Sequence, residues 1–390
     1  MFAHLQILDP RERLLVGAAD VVLAGASALG RLLPGRHAAA PPRRILLVRL
    51  ERIGDLLMAA GAIDLVRQRA PGASIDLVVG SWNEEVARTL PGVDRVEVLD
   101  APWLARGGSA SHAALVAGAW EWRRRRYDLA INFEGDIRSH ALMALSRAPV
   151  RVGFDMAGGG PLLTRRVAFR PDRHTSVNCA ALVTAALGGD APAEPPPFRL
   201  TIPADARARA QAIAGGGARL VALHASGGRP IKQWDPDRFA EAGARVAREL
   251  DATLVLTGGP GDRAITAQVR GRLPRDLPVV DLTGEASLLT LAAVLERCAL
   301  LLTGDTGPMH LAAACGTPIV AIFGPSLPAR YAPVTTRHRV VRIDLPCAPC
   351  NRIRNPPARC QGHTPDCLVG VEVDMVLGAA RDLLRGESAR

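Results

Sequence analysis

The chain has 390 residues, 48 % of them hydrophobic, which is room for two domains of ordinary size and excludes a disordered or fibrous polymer. Its 48 Lys plus Arg outweigh 38 Asp plus Glu, a formal net charge of +10 that favours anionic partners. Aromatics at 4 % argue against single-strand nucleic-acid binding by stacking.

Taken in chain order, residues 14–33 are apolar apart from Asp20, Ser27 and Arg31, about long enough for a helix to cross a bilayer. Asp20 and three glycines weaken that reading, and Asp9 and Glu12 spoil the flank of a secretion signal. The expectation is a helix lying on a membrane face or packed on the body, inside an N-terminal extension 1–40 that ends in the linker 38–44. A strand follows at 45–50, then a helix at 55–70, a strand at 75–79, a helix at 82–90, a strand at 95–99, a helix at 113–126 and a strand at 129–133. After the proline-rich stretch 191–203 the alternation resumes. Strands are expected at 220–224, 253–257, 279–282, 300–303 and 319–323, with a helix at 236–250 capped by Asp235 and opened by Pro236. Short apolar strands alternating with helices imply an α/β chain of parallel sheets covered on both faces. The spacing predicts two doubly wound, Rossmann-like domains, 41–202 and 203–390, facing a cleft, with ligands beyond the carboxyl ends of the strands.

Three loops at strand ends can carry chemistry. Arg49-Leu50-Glu51-Arg52-Ile53-Gly54-Asp55 leaves the first strand; Asp55 either caps the next helix or stands as a general base. Leu223 to Trp234 leaves the first strand of the second series and turns through glycines. There Ser226 and backbone N–H groups can donate to phosphate oxygens and Lys232 can neutralise them, while His224 reads as a buried strand-end residue. Lys232 is the only lysine in the chain; it is either a chance survivor of an arginine-biased composition or a compact ammonium that a planar guanidinium does not replace. The third loop, Thr303-Gly304-Asp305-Thr306-Gly307-Pro308-Met309-His310, is a well-capped turn or an anion site at a helix start. In it Thr306 adds a hydroxyl, Asp305 can accept sugar hydroxyls, and His310 lies in the first turn. Neither a P-loop nor a G-x-G-x-x-G follows the first strand.

Seven cysteines, an odd number, fit a reducing compartment. Cys347, Cys350, Cys360 and Cys367, in a cysteine-rich tail 347–367, could hold a structural metal, pair as disulfides or remain thiols. The four arginines 123–126 read first as a solvated helix end; no nucleic-acid module accompanies them, and no nucleic-acid partner is expected.

Together the motifs Arg49–Leu56, Ser226–Trp234, Gly258–Asp262, Asp305–Ala314 with Gly324-Pro325, and the tail ending Cys367-Leu368 resemble the heptosyltransferase family of glycosyltransferases, family 9, over residues 44–384. The resemblance implies two Rossmann-like domains of the GT-B type: an acceptor domain first, then a donor domain for a nucleoside-diphosphate sugar, ADP-heptose above others. It implies an inverting, metal-independent transfer of heptose to a lipopolysaccharide core or related anionic, lipid-linked saccharide, with no cofactor. By motif position it makes Asp55 the base, Lys232 the phosphate-binding lysine, Asp305, Thr306, Gly307 and His310 the donor loop, and Asp262 a nucleotide contact. Arg52 and Arg138 are expected to meet acceptor phosphates or carboxylates. The place of work implied is the cytoplasm, with peripheral contact at the inner face of the cytoplasmic membrane. The extension 1–40 and the hydroxyl-poor Ser226-Gly227-Gly228 depart from the family pattern. The alternatives are another nucleotide sugar as donor, or a sugar-nucleotide-binding protein without catalysis.

Overall fold

The computed structural model describes residues 5–30, 41–104, 111–215 and 218–388. Of the expected extension and linker, residues 1–4 and 31–40 therefore lie outside the described residues. The chain divides into two compact units between Pro196 and Pro197, within the proline-rich stretch rather than at 202–203.

The first unit is built on six strands: β1 (Arg44–Arg49), β2 (Ser74–Val79), β3 (Arg95–Val98), β4 (Leu129–Asn132), β5 (Val150–Phe154) and β6 (Arg165–Val167). They lie in the order β3-β2-β1-β4-β5-β6, and every pairing is parallel. The central strand shows why. Ile45, Leu46, Leu47 and Val48 are all fully buried, so both faces of β1 need cover, and only crossover helices on both sides supply it. The helix Ile53–Arg69 packs against the helix Thr175–Leu187. Gly61 permits a close approach there, since a Cβ on it would stand 2.5 Å from the Pro196 carbonyl oxygen.

The second unit repeats the plan with β7 (Arg219–His224), β8 (Ala252–Leu256), β9 (Val279–Asp281), β10 (Cys298–Gly304), β11 (Ile319–Ile322) and β12 (His338–Val341), ordered β9-β8-β7-β10-β11-β12 and again parallel throughout. Its core is anchored by Trp234 packed edge-to-face on Phe239, with ring centroids 4.9 Å apart. The Trp234 indole N–H donates to the Val371 carbonyl at 3.1 Å, so the buried ring keeps its polar handle satisfied. Asp235 caps the helix Pro236–Glu249 by accepting from the N–H groups of Asp237 and Arg238, as its position before Pro236 predicts.

In each sheet the strand order reverses direction at one place: between β1 and β4 in the first unit, between β7 and β10 in the second. Such a reversal opens a crevice at the carboxyl ends of the two strands. The loops after β1, β7 and β10 are the three that the sequence singles out.

One expected element differs. The helix expected at 82–90 is a 3-10 turn, Ser81–Asn83, followed by a single helical turn, Glu84–Ala87. The apolar stretch 14–33 forms the helix Pro10–Gly30 as far as it is described, and no described helix is long and apolar enough to cross a membrane.

Candidate active site

In the first unit the β1–β4 crevice is organised by a buried arginine. Arg49 ends β1 with its side chain only 3 % exposed. Its guanidinium reaches Glu51 at 3.1 Å and Asp55 at 3.5 Å, and donates to the backbone carbonyls of Asp55 at 3.2 Å and Phe133 at 2.8 Å. Burial opposes its charge, but Glu51 and Asp55 more than compensate, and Arg49 is held above the usual arginine range.

The following helix begins at Ile53, so Asp55 occupies its third position and Arg52 is the cap residue. The Asp55 carboxylate accepts from the Arg52 N–H at 3.2 Å, which is half of a reciprocal cap. It keeps 31 % of its side chain exposed. Capping and a free carboxylate face are thus compatible at this residue.

Beneath the loop lies Glu134, the second residue after β4, buried and 3 % exposed. It accepts from the N–H groups of Leu50 and Glu51, so it splints the β1 turn to the end of β4. Burial, then the nearby carboxylates of Glu51 and Asp136, push its carboxyl well above the usual carboxylate range, although Arg49 pulls the other way. Arg49 opens the first motif without a role assigned to it there, and Glu134 escapes a motif reading; its one signal is a carboxylate placed directly behind an apolar strand.

Arg52 and Arg138 come to one corner. Arg52 stacks over the Trp82 ring at 4.8 Å and donates to the Leu104 carbonyl. Arg138, on the helix Ile137–Leu145 that Asp136 caps, stacks over Trp103 at 4.8 Å and contacts Asp136 at 3.3 Å. Both guanidiniums are held over indoles beside the 103–104 turn.

In the second unit the β7 and β10 loops touch directly. Gly227 lets the first fold back on itself, since a Cβ there would meet the backbone of Lys232 and Gln233 at 2.9 Å. Lys232 ends the 3-10 turn Pro230–Lys232, and its ammonium donates to the Asp305 carbonyl at 2.7 Å and carboxylate at 3.0 Å. Ser326 donates to the same carboxylate oxygen. Thr306 precedes the helix Gly307–Cys315 without capping it; its hydroxyl lies 3.0 Å from that of Thr303. Gly307, Pro308 and His310 form the first turn, with His310 buried. Ser226 is buried at the mouth of the first loop, its hydroxyl accepting from the Gly228 N–H at 3.3 Å. An ammonium, hydroxyls and a helix start therefore converge, which is the chemistry of an oxyanion cradle.

Asp262 does not join this group. It follows β8, on the other side of β7, where its carboxylate accepts from the Gly259 N–H at 2.8 Å. His224 is buried between them, with its Nδ1 3.1 Å from the Thr257 carbonyl and hydroxyl. Burial lowers its pKa against the opposing pull of Asp262.

Cys347, Cys350, Cys360 and Cys367 line one small cavity of about 20 Å³ together with Ile231 and Pro325. All are free thiols. Among the described residues no three His, Cys, Asp or Glu side chains are grouped as metal ligands. Burial pushes the Cys367 thiol up to about 11. The run Arg123–Arg126 closes the helix His112–Arg125, with Arg124 paired to Glu121 and Arg125 to Asp76.

Comparison with known proteins matches this architecture. Lipopolysaccharide core heptosyltransferase OpsX of Haemophilus influenzae is 20 % identical over 307 residues, 77 % of this chain and 85 % of that protein. The glycosyl transferase family 9 structure from Veillonella parvula superposes with a TM-score of 0.76 at 26 % identity, covering 88 % of this chain and 98 % of the other. E. coli ADP-heptose lps heptosyltransferase II superposes at 0.73 with 20 % identity, covering 88 % and 99 %. The family model described as glycosyltransferase family 9 (heptosyltransferase) matches residues 119–359, more than half of the chain. Two parallel sheets with the motif loops at their switch points, joined to that match, place the chain in glycosyltransferase family 9, the heptosyltransferases, and make it a glycosyltransferase.

Proposed function

We propose that the chain transfers heptose from ADP-heptose, with inversion, to the inner core of lipopolysaccharide or a closely related anionic glycolipid, working in peripheral contact with the cytoplasmic face of the membrane. The observation that supports this most is the position of the loops. The Asp55 loop and the Lys232–Asp305 loops each occupy the crevice of their own sheet, where this fold class binds ligands. The names of the similar proteins supply the sugar and the acceptor class.

In the proposed reaction the acceptor hydroxyl attacks the anomeric carbon while Asp55 takes its proton. The bond from that carbon to the diphosphate breaks and ADP leaves. Arg49, fixed by two backbone carbonyls, orients Asp55. Lys232, with the hydroxyls and first-turn N–H groups around Thr306 and Gly307, stabilises charge growing on the leaving diphosphate; such preoriented donors act without reorganisation in the transition state. Ser226 and His310 belong to the same donor side. Arg52 and Arg138 present cations at the acceptor side, each held over an indole.

The test is single-turnover transfer from ADP-heptose to a deacylated core acceptor. Asp55→Asn is expected to slow turnover by about 10²–10⁴ while ADP still binds with the wild-type affinity. Turnover within a few-fold of wild type, in a variant with an unchanged melting temperature, removes Asp55 from the role.

A further inference from the structure

The helix Pro10–Gly30 is built inside out. On a helix, residues at i, i+4, i+7 and i+11 share one face. The face turned to the first unit carries the polar groups. Asp20 accepts from the Gly159 N–H at 2.7 Å, and the Ser27 hydroxyl donates to the Pro161 carbonyl at 2.9 Å. Val16 packs against Gly158, and Gly17 is buried between these contacts. The opposite face carries Leu14, Leu15, Val21 and Val22, which are 57 %, 72 %, 63 % and 72 % exposed. Ala18 and Gly25, on the same stripe, are exposed as well.

A helix on the surface of a protein in water has the reverse arrangement, its large apolar side chains inward and its polar ones outward. Here two hydrogen bonds and Val16 do the docking, and Leu14, Leu15, Val21 and Val22 are left outside. The lead-in to the helix is also fixed rather than trailing: Leu5 is buried, and Gln6 donates its backbone N–H to the Met156 carbonyl at 2.6 Å and its side-chain amide to the Phe169 carbonyl at 3.2 Å. The apolar stripe is thus presented in a set orientation on the first unit.

The charge around it selects the occupant. The segment 165–173, to which Gln6 is tied, holds four arginines against one aspartate. A second copy of this chain would bring the same positive charges against one another. An anionic lipid surface matches both the apolar stripe and its basic flank, and an interfacial helix of this kind gains from both terms.

We propose that the outward face of Pro10–Gly30, centred on Leu15 and Val22, lies in the interface of an anionic bilayer and holds the first unit against it. This deepens the membrane-side placement proposed above and rests on it; the test reads binding rather than transfer, so the two can fail separately.

The full chain is co-sedimented with vesicles of phosphatidylcholine alone and of phosphatidylcholine with phosphatidylglycerol. Wild type is expected to partition onto the anionic vesicles, and the double variant Leu15→Glu/Val22→Glu to lose that partitioning by about tenfold or more. Neither side chain contributes to the docked face, so the melting temperature and the transfer rate to a deacylated, water-soluble acceptor are expected to stay at wild-type values. A second variant, Arg165→Gln/Arg166→Gln, is expected to reduce the preference for anionic over neutral vesicles while leaving the apolar stripe in place. Equal partitioning by wild type and the Leu15/Val22 variant overturns the proposal. So does a wild-type dimer that the variant converts to monomer without any vesicle binding by either, which would assign the stripe to a second copy of the chain.

Discussion

The Lys232–Asp305 pair invites a double-mutant cycle, because its two partners come from loops 73 positions apart in sequence and meet through side chains that are only 19 % and 13 % exposed. Lys232→Met keeps the aliphatic stem and deletes the ammonium. Asp305 then retains Ser326 as a donor but loses the charge that balances it. Breaking a buried pair from one side costs about 3–5 kcal/mol when burial is complete, and the residual exposure here brings the expectation to about 2–3 kcal/mol. Asp305→Asn leaves an unpaired ammonium in the same place and is expected to cost a similar amount. The double variant removes both charges, so its loss should fall well short of the sum, with a coupling of at least about 1 kcal/mol. Equilibrium urea unfolding of the four proteins measures this, and ADP titration of the same set separates folding from binding. Lys232→Met and the double variant should both bind ADP more weakly, because stability can be restored by deleting the second charge but the ammonium cannot. Lys232→Arg is the control on geometry: it keeps the charge, and if a compact ammonium matters it will still weaken binding. Additive losses in the cycle, or wild-type ADP affinity in Lys232→Met, would refute the account of this pair.

Two further predictions concern the first unit. Glu134 has a carboxyl raised by burial, so the folded state holds a proton that the unfolded state releases at ordinary carboxylate pH. That contribution is full below about pH 4.5 and is lost as pH rises towards the folded value. Glu134→Gln keeps an oxygen for the N–H groups of Leu50 and Glu51 and cannot ionise. Its melting temperature should therefore gain on wild type as pH rises from about 5 to 8; parallel curves would show that the carboxyl is not strained. Gly61→Ala places a methyl 2.5 Å from the Pro196 carbonyl oxygen and should cost about 1–3 kcal/mol by overpacking, read as a lower urea midpoint; an unchanged midpoint would mean that the segment at Pro196 yields freely.

The central strands of both sheets were legible because burial on two faces writes a continuous apolar run, as in Ile45–Val48 and in Leu220–Leu223. β5, whose run is broken by Arg151 and Gly153, and the edge strands β6 and β12 were not. β6 is three residues with two arginines, and β12 opens on His338 and Arg339; at the end of a sheet one side needs no cover, and the apolar run disappears. The three motif loops were visible as glycines and charges following strands, and the pairing of Lys232 with Asp305 agrees with their assignment to one end of the fold. Arg49 and Glu134 were harder to see. Arg49 opens the first motif but has no role there, and a glutamate after a strand reads as an ordinary surface charge, until the strand order puts β1 beside β4. Asp262 sits in a glycine-rich turn after β8, the strand next to β7 on the side away from the Lys232–Asp305 pair.

Because every strand within a sheet points the same way, each unit has a reactive rim and a quiet one. Gly72, in the turn that enters β2, and Gly271, at the end of the helix that leads to β9, both lie on the quiet rim, and a side chain built at either meets nothing within 4 Å. A cysteine at either position offers a handle for a fluorophore or a solid support at the end of the sheet away from the chemistry. Such handles would let the first and second units be observed separately at work.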